Sequence, residues 1–238
     1  MNELPFDDWH KAFQSPRWYE VLVPEWRRIE DELKTFPESE RRVVKDKVYE
    51  FVESELRAGA ISLGTTGPNQ DLERKPIDTA IIHHTSGESG ITWQRLSAMH
   101  LMRLYAPRYL YVNETVDIHR TGDPIYSHHF RPDGTQVFYG YHWLIRTDGS
   151  TERLLPDNEI GWQAGNWEVN CRSIGICLDG DFGHSTPPTI MLNATKLLLQ
   201  EQYPFISHDR ILGHREVNPK TTCPGDQFLA GWKNALQP

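Results

Sequence analysis

With 238 residues, the chain suffices for one large domain, or for a domain of about 150–170 residues plus an appendage, and it can bury a core without staples. A hydrophobic fraction of 38% with eight Trp excludes a disordered chain. A net charge of −8 without any long basic block argues against nucleic acid as a partner, because phosphate binding relies on clustered Lys and Arg.

Residues 1–63 read as helical. Trp18 to Leu33 places apolar residues at helical spacing, with Pro24 as a start or kink. Beyond Pro37, Val43, Val44, Val48, Phe51, Val52 and Leu56 form a second stripe. The stretch Thr35-Phe36-Pro37-Glu38 has capping-box spacing, which makes Thr35 the expected start of that helix. Gly64 to Gln70 is punctuation, read as a linker. From residue 76 the pattern is mixed. Thr79 to His84 reads as a short buried strand, Trp93 to Leu104 as a helix and Gly140 to Arg146 as a strand. The turn Thr147-Asp148-Gly149-Ser150 returns the chain into Thr151–Leu155 as a hairpin. Ser173 to Leu178 reads as another strand. A helix opens at Pro187 or Pro188 and runs to about Gln202, and a last short helix follows Pro224-Gly225.

This order predicts an α/β (α+β) fold: a mixed central sheet flanked by helices, preceded by an N-terminal helical extension. The expected domains are 1–70, of undefined role, and 76–236. Residues 105–139 are aromatic and irregular, the composition of a binding loop or lid. No stretch approaches the roughly 20 apolar residues of a membrane span, and the acidic start of the chain lacks a secretory signal's apolar segment. Cys171, Cys177 and Cys223 read as free thiols, because a strand would hold the first two about 20 Å apart.

The chemistry-bearing residues lie in separated segments. His83-His84 ends the first strand. His214 and Cys223 lie nine positions apart on a turn-rich stretch ending in Pro224-Gly225. Two imidazoles and one thiolate suit a zinc with a fourth position left open, the arrangement of a catalytic site. His83 and His84 point to opposite faces of a strand, so only one can serve a metal.

Four motifs in this order, Ile81-Ile82-His83-His84-Thr85, Gly140-Tyr141-His142-Trp143, Asn170 with Ser173-Ile174-Gly175-Ile176, and Gly213-His214-Arg215-Glu216-Val217 with Cys223-Pro224-Gly225, resemble the type 2 N-acetylmuramoyl-L-alanine amidases. That superfamily includes peptidoglycan recognition proteins and amidase-type phage lysozymes. The resemblance covers residues 76–235. It implies a Zn²⁺ cofactor on His83, His214 and Cys223, and a peptidoglycan or muropeptide substrate cut between N-acetylmuramic acid and L-alanine. It also implies an assisting Tyr141 and a transition-state donor at Thr221 or Lys220, the alignment being open by one residue. Gln163, in Trp162-Gln163-Ala164-Gly165, stands where many relatives carry His, so Trp162 and Gln163 become candidate substrate contacts. His84 and His100 are packing residues or substrate contacts. His119, His128 and His129 read as substrate-facing or surface histidines rather than a second metal site. A non-catalytic recognition module and a thiol hydrolase using Cys223 remain as alternatives. The expected setting is the cytoplasm, or the exterior after release by lysis or a non-classical route.

Overall fold

The computed structural model describes residues 4–110 and 122–236, and within them the chain forms two compact units. The first comprises residues 1–68 and 92–138, apart from those not described. Its helices are α1 (Phe6–Phe13), α2 (Tyr19–Leu33), α3 (Glu38–Arg57), α4 (Trp93–His100) and α5 (Ala106–Leu110). An aromatic cluster forms its interior. Phe6 stacks on Phe51 at 4.4 Å between ring centroids, Phe13 meets Trp18 edge-on at 5.1 Å, and Tyr19 meets Tyr109 at 5.8 Å. Such offset and edge-on pairs match the aromatic quadrupoles as well as burying area. α4 is joined to α3 by Arg95, which donates to Glu53 at 2.7 Å and to the Asp46 carbonyl at 2.9 Å.

Two local features depart from the sequence reading. Thr35 does not start α3. Its hydroxyl donates to the Glu32 carbonyl and so closes α2, while Pro37 occupies the position before α3. The helix expected from Trp93 to Leu104 changes pitch: a π-helical turn spans Leu101–Tyr105 before α5. Pro107 explains it, because its ring nitrogen has no proton for the Arg103 carbonyl and the ring crowds that turn.

The second unit comprises residues 69–91 and 139–238. Its strands are β1 (Thr79–His84), β2 (Trp143–Ile145), β3 (Thr151–Arg153), β4 (Ser173–Leu178) and β5 (Ile211–Gly213). They form one mixed sheet in the order β3-β2-β4-β1-β5, with β2, β4, β1 and β5 parallel and β3 antiparallel to β2. β1 and β4 are buried along their whole lengths, as near-continuous apolar runs in parallel strands should be. The helices are α6 (Trp167–Arg172), α7 (Thr189–Gln202), α8 (His214–Val217) and α9 (Gln227–Ala230).

One face of the sheet carries Ala80, Ile82, Ile174, Ile176 and Leu178 against Met191, Leu198, Phe228 and Trp232. The other face is sparser. Ile81 lies there with Ala164, Val169, Leu212 and Val217. That thinner side, at the carboxyl ends of β1 and β5, is where the polar chemistry collects, the usual place for ligands in parallel sheets. Arg74 holds the chain around it: its guanidinium donates to the carbonyls of Asn170 (3.0 Å), Ser173 (2.8 Å) and Asp157 (2.8 Å). No helix among the described residues is long and apolar enough to cross a membrane.

Candidate metal centre

Alternation along β1 sends Ile81 and His83 to the thin face, and Ile82 and His84 to the other. His83 follows Ile82, whose register partner on β5 is Gly213, and His214 follows Gly213. Two neighbouring parallel strands therefore deliver an imidazole each at their carboxyl ends. Cys223 returns to the same place through a turn. The Arg215 N–H donates to the Cys223 carbonyl at 2.8 Å, and Glu216 accepts from the Gly213 N–H at 2.7 Å. The turn closes tightly at Gly225, where φ is +121° and a Cβ would lie 1.9 Å from the Phe182 carbonyl oxygen.

The donor atoms of His83, His214 and Cys223 all lie within 4.8 Å of one another. His83 Nδ1 is 3.7 Å from Cys223 Sγ. A tetrahedral zinc bonded to nitrogen and sulfur at ordinary lengths separates those atoms by about 3.6 Å. Two imidazoles and a thiolate also form a borderline-soft donor set, which suits zinc over magnesium or calcium. The residues present therefore fit such an ion.

The other expected site residues fall around this cluster as follows. Tyr141 places its ring 4.8 Å from the His83 ring, and its hydroxyl is hydrogen-bonded to the Cys177 thiol. Burial, reinforced by Cys223 and Asp179, pushes that thiol well above its ordinary pKa. Thr221 is half-buried, and its hydroxyl oxygen accepts from the Cys223 N–H at 3.2 Å, whereas Lys220 is exposed. Gln163 is buried behind His83, with its Oε1 2.5 Å from His83 Nε2. Trp162 is buried and meets Trp167 edge-on. His84 faces away from His83. Its Nδ1 accepts from the Phe182 N–H at 2.9 Å, its Nε2 meets Ser86 Oγ at 3.0 Å, and burial lowers its pKa. His100 is buried in the first unit, its pKa lowered to about 3 by burial and then by Arg103. His128 and His129 also belong to the first unit, with rings 4.2 Å apart. His119 lies outside the described residues.

Two supporting residues gave only a partial sequence signal. Asn170, expected to close the loop before β4, accepts from the N–H groups of Gln163 (3.2 Å) and Ala164 (2.8 Å). His142 is fully buried between strands: Nδ1 accepts from the Gly175 N–H, and Nε2 donates to the Glu159 carbonyl, both at 3.0 Å. The Gly-Tyr-His motif showed the residue but not this locking role.

The sequence profile for N-acetylmuramoyl-L-alanine amidase matches residues 73–226, well over half of the chain. The chain belongs to this family. It is similar to peptidoglycan-recognition protein LB of Drosophila melanogaster, with 36% identity over 95 residues, covering 38% of this chain and 39% of the relative. It is also similar to the 1,6-anhydro-N-acetylmuramyl-L-alanine amidase AmpD of Haemophilus influenzae, with 28% identity over 109 residues, covering 42% and 59%. These alignments therefore span less than two thirds of the curated relatives. The solved structure of the amidase LysC from Clostridium intestinale aligns at 23% identity with a TM-score of 0.45, over 69% of this chain and 87% of that one.

Proposed function

We propose that this chain is a zinc-dependent amidase that hydrolyses the amide between the lactyl group of N-acetylmuramic acid and L-alanine, in peptidoglycan or in muropeptides released from it. The observation that carries the reading is the convergence of His83, His214 and Cys223 donor atoms within 4.8 Å, inside the stretch matched by the family profile.

His83, His214 and Cys223 hold the ion. When bound, zinc at such a centre supplies Lewis acidity, polarising an amide carbonyl and acidifying water. Tyr141, beside His83, orients the attacking water or the substrate carbonyl. A phenol with an ordinary pKa near 10 is a poor base on its own, so positioning is its natural task. Thr221 already accepts the Cys223 N–H on its hydroxyl oxygen, which leaves its own O–H to donate to a developing oxyanion. The exposed ammonium of Lys220 is solvated, and this supports Thr221 for the role.

The test is a muropeptide digest with purified protein, with and without a chelator, read by mass spectrometry. Free stem peptide and muramyl sugar, lost with chelator and restored by Zn²⁺, are expected. Intact substrate retained by a zinc-loaded protein would replace this reading with a recognition module. Activity that survives the chelator but not a thiol alkylating agent would replace it with a Cys223 hydrolase.

A further inference from the structure

The buried Gln163 amide does more than fill space behind His83. An amide oxygen has no proton to give, so its 2.5 Å contact with His83 Nε2 requires the proton to sit on that nitrogen. Nδ1 then carries the lone pair, and Nδ1 is the atom that faces Cys223 Sγ. A reversed amide would have the opposite result. Its NH₂ would claim the Nε2 lone pair and force the proton onto Nδ1, toward the donor cluster.

The other end of the amide and the backbone that carries it are held as well. Gln163 Nε2 donates to Ser173 Oγ at 2.8 Å, and Ser173 is fully buried at the start of β4. Asn170 fixes the backbone on both sides of the side chain's origin through the N–H groups of Gln163 and Ala164. Gly175 leaves the side chain room to lie across β4: a Cβ there would stand 3.1 Å from Gln163 Cγ and Cδ. Ser173, Asn170 and Gly175, all between residues 170 and 175, thus place the Gln163 amide against His83, with its oxygen on Nε2 and its nitrogen on Ser173.

We propose that Gln163 is a positioning residue that sets the His83 tautomer and thereby prepares Nδ1 as a metal donor before any ion arrives. The inference rests on the zinc reading given above. Because the amide is neutral, it orients the imidazole without adding negative charge behind it, so the ion keeps more of its electrophilic character than it would with a carboxylate there.

The experiment measures zinc affinity by chelator competition in the parent, Gln163→Leu, Gln163→Glu and Cys223→Ser. It also measures the His83 tautomer in the metal-free parent by ¹⁵N NMR of the imidazole. Gln163→Leu is expected to weaken zinc binding by about 10–100-fold, the usual cost of removing such a partner. Gln163→Glu, which still accepts from Nε2–H, is expected to bind at least as tightly as the parent. The parent is expected to carry its proton on Nε2, a readout that stands even if Gln163→Leu fails to fold. The positioning role is overturned if Gln163→Leu binds zinc as tightly as the parent while Cys223→Ser does not, or if the parent's His83 is protonated on Nδ1. A parent that binds no zinc removes the zinc reading itself, and this role with it.

Discussion

His142 makes the second unit acid-sensitive in a way that can be worked through. Its pKa is lowered from 6.5 to about 3, first by burial and next by Arg74, whose guanidinium lies 3.5 Å from Nε2; the bond to the Glu159 carbonyl offsets part of this. A second proton would have to go on Nδ1, where it would face the Gly175 N–H that Nδ1 now accepts. Between about pH 6.5 and about pH 3 the unfolded chain binds this proton and the folded chain does not. The stability tied to neutral His142 is therefore fully present above the unfolded pKa and is lost as pH falls through that window. The slope is about 1.4 kcal/mol per pH unit, or about 2 kcal/mol by pH 5. In His142→Gln an amide N–H can still serve the Glu159 carbonyl, but Gly175 loses its acceptor. That variant should be less stable than the parent by about 1–3 kcal/mol near neutral pH. It cannot titrate, so the gap should close by about 2 kcal/mol at about pH 5. Urea midpoints of parent and variant at several pH values measure this, and exchange of the Gly175 amide reports the bond itself. Taking the difference between proteins also cancels His100, whose pKa is likewise lowered to about 3. Parallel pH profiles for parent and variant would refute the reasoning.

Three further outcomes are expected. Thr221→Ala should lower kcat by about 10²–10³ with zinc content kept, as loss of an oxyanion donor does, while Lys220→Ala should leave kcat near the parent value; the reverse order would transfer the role to Lys220. Tyr141→Phe should retain zinc and lose about 10²-fold or more in rate on the same muropeptide assay, and an unchanged rate would remove Tyr141 from the chemistry. Gly225→Ala should be destabilised on the order of 4 kcal/mol or fail to fold, because its Cβ would lie 1.9 Å from the Phe182 carbonyl oxygen. A parent-like urea midpoint would contradict the tight turn.

The elements that could be read directly are those whose cause is local. β1 and β4 are runs of buried apolar residues, and their predicted ranges, Thr79 to His84 and Ser173 to Leu178, are the observed ones. β5 has three residues, too few for any periodicity to register, and it exists because β1 offers it a parallel partner. Thr35 carried a valid capping pattern, yet the competing bond to Glu32 used its hydroxyl at the end of α2. The four-motif resemblance pointed to His83, His214 and Cys223, because their types and order suffice for that. Gln163 is different. Its contact with His83 spans 80 positions of chain and depends on Gly175 having no side chain, so nothing near Gln163 in sequence announces it.

The run Ala80-Ile81-Ile82-His83-His84 also has a consequence for folding fidelity. Shifted by one position, it would still place an isoleucine and then a histidine on each face of the strand. Its own pattern therefore barely distinguishes the correct pairing from a slipped one, although a slip turns every side chain to the opposite face. The discrimination comes from neighbours. Ile81 pairs with Gly175 and Ile82 with Gly213, and His84 meets the Phe182 N–H. At Gly213 a Cβ would stand 2.8 Å from both Phe228 and Pro224, so that partner tolerates nothing larger. Which of two adjacent histidines faces His214 and Cys223 thus follows from how β1 pairs with β4 and β5, not from the run itself.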